Sequence, residues 1–264
     1  MFDLYKMKQC LRCKNEFKSN SMIHGDDVCS TCERMNSITF WLPKLQNVQC
    51  PIPKTIMINA DIDLGPMVDG VEVEGTDRFF NELNNAANIL GFPVFLRTEM
   101  LSNKHDWINS CFIENEKQFP SHIVNLLEMS AVVTIDRFKD CNFFAIRKMI
   151  ETEKAFTYFN GMPITKEIRV FIRNGKIECQ HPYWPKDVFE KIDDTLIKKV
   201  QELNDDDKDI INKYGNYLAK IFHGWWSVDF LKSKKGDWYC TDMAIGESSW
   251  HDEKCINKIK EHLI

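Results

Sequence analysis

No apolar run in this 264-residue chain approaches the roughly 18 residues needed to cross a bilayer. Its first residues, Met1 to Lys8, also lack the apolar stretch of a signal peptide. No membrane partner is expected, and although ten cysteines suggest a secreted disulfide scaffold, the length, the paired zinc-type spacing and the missing signal argue for a reducing cytoplasm. A basic excess is missing too. The formal net charge is -5, whereas a protein that lives on phosphate contacts is usually basic. The first 48 residues, with seven Lys/Arg against five Asp/Glu, are only mildly positive, so nucleic-acid contact there has no support from charge. There is no G-x-x-x-x-G-K-S/T and no G-x-G-x-x-G, which removes the P-loop and Rossmann readings. No Ser/His/Asp or Cys/His signature appears, and there is no internal repeat.

What is present begins with four cysteines. Cys10-x-x-Cys13 and Cys29-x-x-Cys32 are separated by the fifteen residues Lys14 to Val28. Two such knuckles, joined by a spacer long enough for a β-hairpin or loop, bring four thiolates to one tetrahedral Zn²⁺. Cys50, Cys111, Cys141, Cys179, Cys240 and Cys255 are scattered and read most simply as core or surface thiols.

Residues 1–48 form the zinc module, and Gln49 to Pro53, with two prolines, a linker. A larger domain spans 49–264. Zinc loss is expected to unfold 1–48 and to spare the rest, as separate cores would. Thr55 to Ala60 reads as a strand, Thr76 as the cap of a helix ending at Gly91, and Pro93 to Arg97 as a second strand. Phe119 to Ile135 is helical and Asn142 to Ile150 a buried strand. Glu167 to Arg173 alternates, Asn174-Gly175 supplies a hairpin turn, and Lys176 to Gln180 returns. Alternation places Glu167, Arg169, Phe171 and Arg173 on one face. Helices are expected over Val188 to Leu203 and Lys208 to Phe222, with Asn204 to Asp207 as a turn. Trp226 to Leu231 and Trp238 to Thr241 form a second hairpin, and a helix follows from about Asp252.

Several residues could carry chemistry. Asp229 and Asp242 close the second hairpin and suit a hard cation such as Mg²⁺. Each could equally do no more than end a strand. Glu247 and His251 follow downstream. Arg169 could grip a phosphate or carboxylate, or pair across the sheet. Arg147 and Lys148 interrupt an apolar strand on opposite faces, so only one of them points to a given cleft. The polar loop from Arg97 to Trp107 carries Lys104.

In order, Val94-Phe-Leu-Arg-Thr98, Ser102-Asn-Lys-His-Asp-Trp107, Phe144-Ala-Ile-Arg-Lys-Met-Ile150, Pro163 to Gly175, His181-Pro-Tyr-Trp-Pro185, and Val228-Asp-Phe to Asp242 resemble the ATP-grasp superfamily. The likeness covers about residues 55–250 and is strongest to the branch named for two arginines and one lysine, of phage and bacterial type. It implies an α+β fold, with two α+β lobes around a nucleotide cleft after a small zinc ribbon. It also implies ATP and Mg²⁺. Arg97 and Lys104 would contact phosphates. Lys148 and the hinge Met149, Ile150 and Glu151 would lie at adenine or ribose, with Glu167 also on the nucleotide. Arg147 and Arg169 would hold phosphate or substrate, and Asp229 and Asp242 would bind Mg²⁺. The family's motif ends in an acid, one residue and Asn, whereas this chain reads Asp242-Met243-Ala244. A ligand is therefore missing: either Glu247 replaces it, or the metal site is weakened and the enzyme is altered or inactive.

The resemblance implies an ATP-dependent carboxylate–amine or carboxylate–thiol ligase working through an acylphosphate. Its substrate would be a peptide, a protein or an RNA-linked group, in the cytoplasm (the host's, for a phage protein). The competing reading is an adaptor or assembly factor, in which the same domain binds a protein partner with little turnover.

Overall fold

The structure, a computed structural model, describes residues 5–20, 27–46, 48–133, 142–252, 254, 255 and 257. Strand β1 (Tyr5–Gln9) pairs antiparallel with β2 (Glu16–Asn20), and the turn between them holds Cys10 and Cys13. The turn closes with Lys14 N–H on Cys10 O at 2.9 Å, Lys14 sitting at φ 63. Two short helices follow, α1 (Ser30–Glu33) and α2 (Ile38–Trp41). Ser37 caps the second by accepting from Thr39 N at 3.2 Å.

Pro53–Thr165 and Ser233–Lys235 make one compact unit. Its strands β3 (Thr55–Asn59), β4 (Val94–Thr98), β5 (Phe112–Ile113) and β6 (Phe143–Lys148) lie in the order β3-β6-β4-β5 with antiparallel neighbours. The strand–helix–strand opening forms as predicted, but β6 sits between its two strands. Helices α3 (Thr76–Leu90) and α4 (Phe119–Val133) share one core with the sheet. Phe79, Leu83 and Ala87 meet Phe119, Ile123 and Leu127 over Leu96, Phe144 and Ile146. Thr76 is the first helical residue rather than the cap. Gly75 takes the cap at φ 90, a conformation open to glycine. Strands β7 (Phe156–Tyr158) and β8 (Met162–Ile164) add a small hairpin, too short to show in the sequence pattern.

Met1–Ile52, Lys166–Lys232 and Gly236–Ile264 make the other unit. Strands β9 (Glu167–Arg173) and β10 (Lys176–Pro182) turn at Asn174 and Gly175, both at positive φ, as a two-residue hairpin demands. Helix α5 (Asp194–Gln201) starts later than Val188, because Asp193 caps it by accepting from Thr195 N at 2.7 Å. Helix α6 (Asp205–Ile221) starts earlier than Lys208. Asn204 caps it, and the three aspartates read as a turn occupy its first turn, where the helix dipole favours them. Strands β11 (Trp225–Lys232) and β12 (Trp238–Ile245) complete the sheet, ordered β10-β9-β11-β12 and antiparallel throughout. Strand β12 runs past Thr241 because Met243 and Ile245 are buried, so Asp242 lies within a strand rather than at its end. Gly215 lets α6 approach the sheet closely: a Cβ there would meet Ile177 Cδ1 at 2.7 Å.

The N-terminal segment covers the outer edge of β12. Ile245 N donates to Asn36 Oδ1 (2.7 Å) and Cys240 N to Pro51 O (2.8 Å), so an edge that would otherwise be open is paired. Phe40 stacks on Trp226 at 6.0 Å, and Lys44 Nζ sits 3.6 Å from the Phe40 ring. Residues 258–264, where most of the expected terminal helix falls, lie outside the described residues, as do Ile135 and Cys141.

Asp207 in α6 is buried and accepts from Lys232 Nζ (2.5 Å) and Trp238 Nε1 (2.9 Å). Burial raises its pKa, but these bonds outweigh it and hold the carboxyl below its ordinary range. The stabilisation is therefore full above the unfolded carboxylate value, about 3.9, and is lost as pH falls through the folded value. Asp207→Asn is expected to cost about 2–3 kcal/mol at neutral pH and to flatten the acid limb of stability, read by urea denaturation from pH 2 to 7.

Candidate functional site

The register of the second unit's sheet aligns four polar side chains in a row. His181 of β10 faces Arg169 of β9, Arg169 faces Asp229 of β11, and Asp229 faces Asp242 of β12. Residues directly opposite share a face, so all four lie on the side away from α6, the face that alternation assigned to Arg169. Arg169 forks onto Asp229, Nε to Oδ1 at 2.8 Å and Nη2 to Oδ2 at 2.9 Å. Its third direction is used by Trp250 O at 3.2 Å, and the Tyr183 ring lies 4.8 Å from its guanidinium carbon. Burial works against this charge, but the contact with Asp229 outweighs it and holds the guanidinium protonated above the usual arginine range. Asp242 is half-buried, with Oδ1 accepting from Met243 N at 3.0 Å. Glu167 is buried on the same face, two residues from Arg169.

Two facing carboxylates fit a divalent cation that keeps several waters, the usual habit of Mg²⁺. Glu247, expected as a third, has its Oε2 on Arg12 Nη1 at 2.9 Å. Arg12 also donates to Trp225 O (2.8 Å) and His223 O (3.3 Å), so the first cysteine knuckle is tied to β11 through this arginine. Sequence reasoning missed Arg12, Tyr183 and His181 as members of this site. The β9–β10 hairpin brings His181 and Tyr183 back to Arg169, whereas Arg12 is distant in the chain and only the tertiary contact with Glu247 and Trp225 signals it.

In the first unit, Arg97 of β4 and Arg147 of β6 are both buried on the sheet face opposite the helices. Phe95 faces Arg147 and Arg97 faces Ala145, so the two arginines are diagonal neighbours. Arg97 Nε donates to Thr98 O (3.1 Å) and Arg147 Nε to Thr55 Oγ1 (3.2 Å). Lys148 is exposed on the other face, as alternation predicts. Met149 and Ile150 follow β6, and exposed Glu151 pairs with Lys234 at 3.0 Å. Lys104 opens a 3₁₀ segment braced by His105 stacking on Phe159 at 4.3 Å and by Asn160 on Asp106 at 2.5 Å.

Cys10, Cys13, Cys29 and Cys32 converge, their sulfurs all within 4.8 Å of one another. A tetrahedron with Zn–S bonds of about 2.3 Å has edges of about 3.8 Å, and Cys13 and Cys29 are 3.6 Å apart. Cys10 Sγ accepts the backbone N–H of Cys29 (3.3 Å) and of Cys13 (3.5 Å). Burial opposes ionisation of Cys10, and these N–H groups outweigh it, bringing the thiol down to about 6. Burial, then contact with the other three sulfurs, pushes Cys32 up. The donor set therefore fits Zn²⁺, whose charge would let all four ionise together.

No family model and no curated protein matches the chain. Two solved structures of Cdc123 from Schizosaccharomyces pombe are similar in fold. The C-terminally truncated form is 10% identical, with a TM-score of 0.58 over 81% of this chain and 85% of that one. The other is 11% identical, with a TM-score of 0.59 over 83% and 86%. A RimK domain ATP-grasp protein from Sphaerobacter thermophilus is 11% identical over 86% of this chain and 64% of its own, at a TM-score of 0.47. The fold class is the α+β one that the ATP-grasp resemblance implies, with a zinc-ribbon-like four-cysteine module at its start.

Proposed function

We propose that this chain is an ATP-dependent ligase joining a carboxylate to an amine or thiol. The observation that supports the reading most is the row Arg169, Asp229 and Asp242 on one sheet face. The diagonal pair Arg97 and Arg147 on the other unit's sheet adds to it. Buried guanidinium groups are suited to phosphate oxygens. When bound, Mg²⁺ would neutralise the triphosphate. The substrate carboxylate then attacks the γ-phosphorus, ADP leaves, and the acylphosphate is taken by an amine or thiol with loss of phosphate. Arg97, Lys104 and Arg147 are assigned to phosphate, Lys148 to Glu151 and Glu167 to the nucleoside end, Arg169 to substrate, and Asp229 and Asp242 to the cation. Substrates of peptide or protein type remain part of the proposal, as does a cytoplasmic setting of phage type.

ATP with Mg²⁺ is expected to raise the melting temperature, since a ligand at 100 times its Kd adds about 2.7 kcal/mol. Lys104→Ala should at least halve the shift, measured from that variant's own baseline. No shift with millimolar ATP, or an unchanged shift in Lys104→Ala, refutes the assignment.

A second reading has its own support. Asp229 and Glu247 are both already engaged by arginines. An adaptor that binds nucleotide without turnover would look the same. A clear ATP shift with no ADP release across carboxylate and amine panels would favour it.

A further inference from the structure

The geometry points to a second structural metal site, for one Zn²⁺, made by Cys179, His181, His251 and Cys255. Their ligand atoms all lie within 4.8 Å of one another, as do those of the four-cysteine cluster. Cys179 and Cys255, expected as scattered thiols, lie together in this cluster, whereas Cys50, Cys111 and Cys240 are buried core thiols.

The cluster is built from both sides. Cys179 and His181 are two apart on β10 and face the same way. The chain after β12 returns to meet them. His251 is buried and stacks on Phe171 at 4.1 Å, with Trp225 at 5.8 Å. A turn then brings Cys255 back, with Lys254 N on Asp252 Oδ1 (2.9 Å) and Cys255 N on Asp252 O (3.0 Å). Asn257 Nδ2 anchors the return on Glu178 O at 3.0 Å.

Distances fit a tetrahedron. Bonds of about 2.3 Å to sulfur and 2.0 Å to nitrogen give S–N edges of about 3.5 Å. Cys179 Sγ and His251 Nε2 are 3.2 Å apart. His181 Nε2 is buried and has no hydrogen-bond partner among the described residues. A buried ring nitrogen left so is costly, and a metal bond satisfies it. Two sulfur and two imidazole ligands in a tetrahedron favour zinc. Two thiolates would cancel the ion's charge, which suits a site beside Phe171 and Trp225.

The consequence is mechanical. This zinc would clamp Trp250, His251 and Cys255 to β10, next to the row of polar residues, because His181 faces Arg169 and Trp250 O accepts from Arg169. Its loss would free the Trp250 contact and leave Arg169 held by Asp229 and the Tyr183 ring. Neither the site nor this role depends on the ligase reading.

The test is zinc content per chain in the full-length protein, by mass spectrometry of the metal. Two zinc ions are expected. Cys179→Ser and Cys255→Ser should each reduce this to one, as should Cys13→Ser, while Cys255→His should retain two. Cobalt substitution gives an independent reading: two superposed spectra, one of four-sulfur and one of two-sulfur, two-nitrogen type, with Cys179→Ser removing only the second. One zinc in the parent overturns the proposal, as does zinc retention by Cys255→Ser. A Cys179–Cys255 disulfide in non-reduced parent with a single zinc would overturn it too.

Discussion

Cys10→Ser, or stripping with a strong chelator, is expected to unfold residues 5–46 and to lower the stability of the whole second unit. The binding free energy of a structural zinc, about 10–16 kcal/mol in small modules, is comparable with the total stability of a domain. Such a loss leaves the module no folded state of its own. Cys10 is the most telling position, because it accepts two backbone N–H bonds and is fully buried. Sequence reasoning confined the damage to residues 1–48. The structure extends it, because Asn36 and Pro51 pair the edge of β12, Phe40 stacks on Trp226, and Arg12 reaches Trp225 O and Glu247. Hydrogen exchange should show loss of protection at the Ile245 and Cys240 amides. Unchanged protection there after zinc removal would mean that the module is only an appendage.

Asp229→Asn and Asp242→Asn should part company, although the residues face each other. Asp229 balances largely buried Arg169, with side chains only 7% and 15% exposed. Removing one partner of a buried pair costs about 3–5 kcal/mol, since the other charge stays behind. Asp242 lies outside that fork and is only half-buried, so its amide variant should cost less stability than Asp229→Asn. Both should lose ADP release, on the order of 10²-fold or more, because each removes charge from the cation's face. Denaturation curves and ADP release on the same preparations separate the two effects. Full turnover by Asp242→Asn would end the catalytic proposal. A stability loss in Asp242→Asn equal to that in Asp229→Asn would show that the row is structural throughout.

Local patterns were legible where local physics decides. The Cys10/Cys13 and Cys29/Cys32 spacing could be read because each knuckle spans only three residue steps of local chain geometry. The Asn174-Gly175 turn could be read because few residues accept positive φ, and the polar face of β9 because strand alternation has a fixed period. Helix α6 was misjudged at its start, since Asn204 to Asp207 suit a turn and a helix N-terminus equally well.

The sequence alone determined the four-cysteine cluster, the α+β class and the face that carries Arg169. Only the tertiary structure decided which of those charges meet. Arg169 lies 60 residues from Asp229, and Cys179 lies 72 from His251. Arg12 and Glu247 are 235 apart. Nothing in a local period encodes such pairings. They follow from strand register and from the chain returning along β10, both set by which apolar faces are buried. Burial fixes the register, and the register brings the charges together.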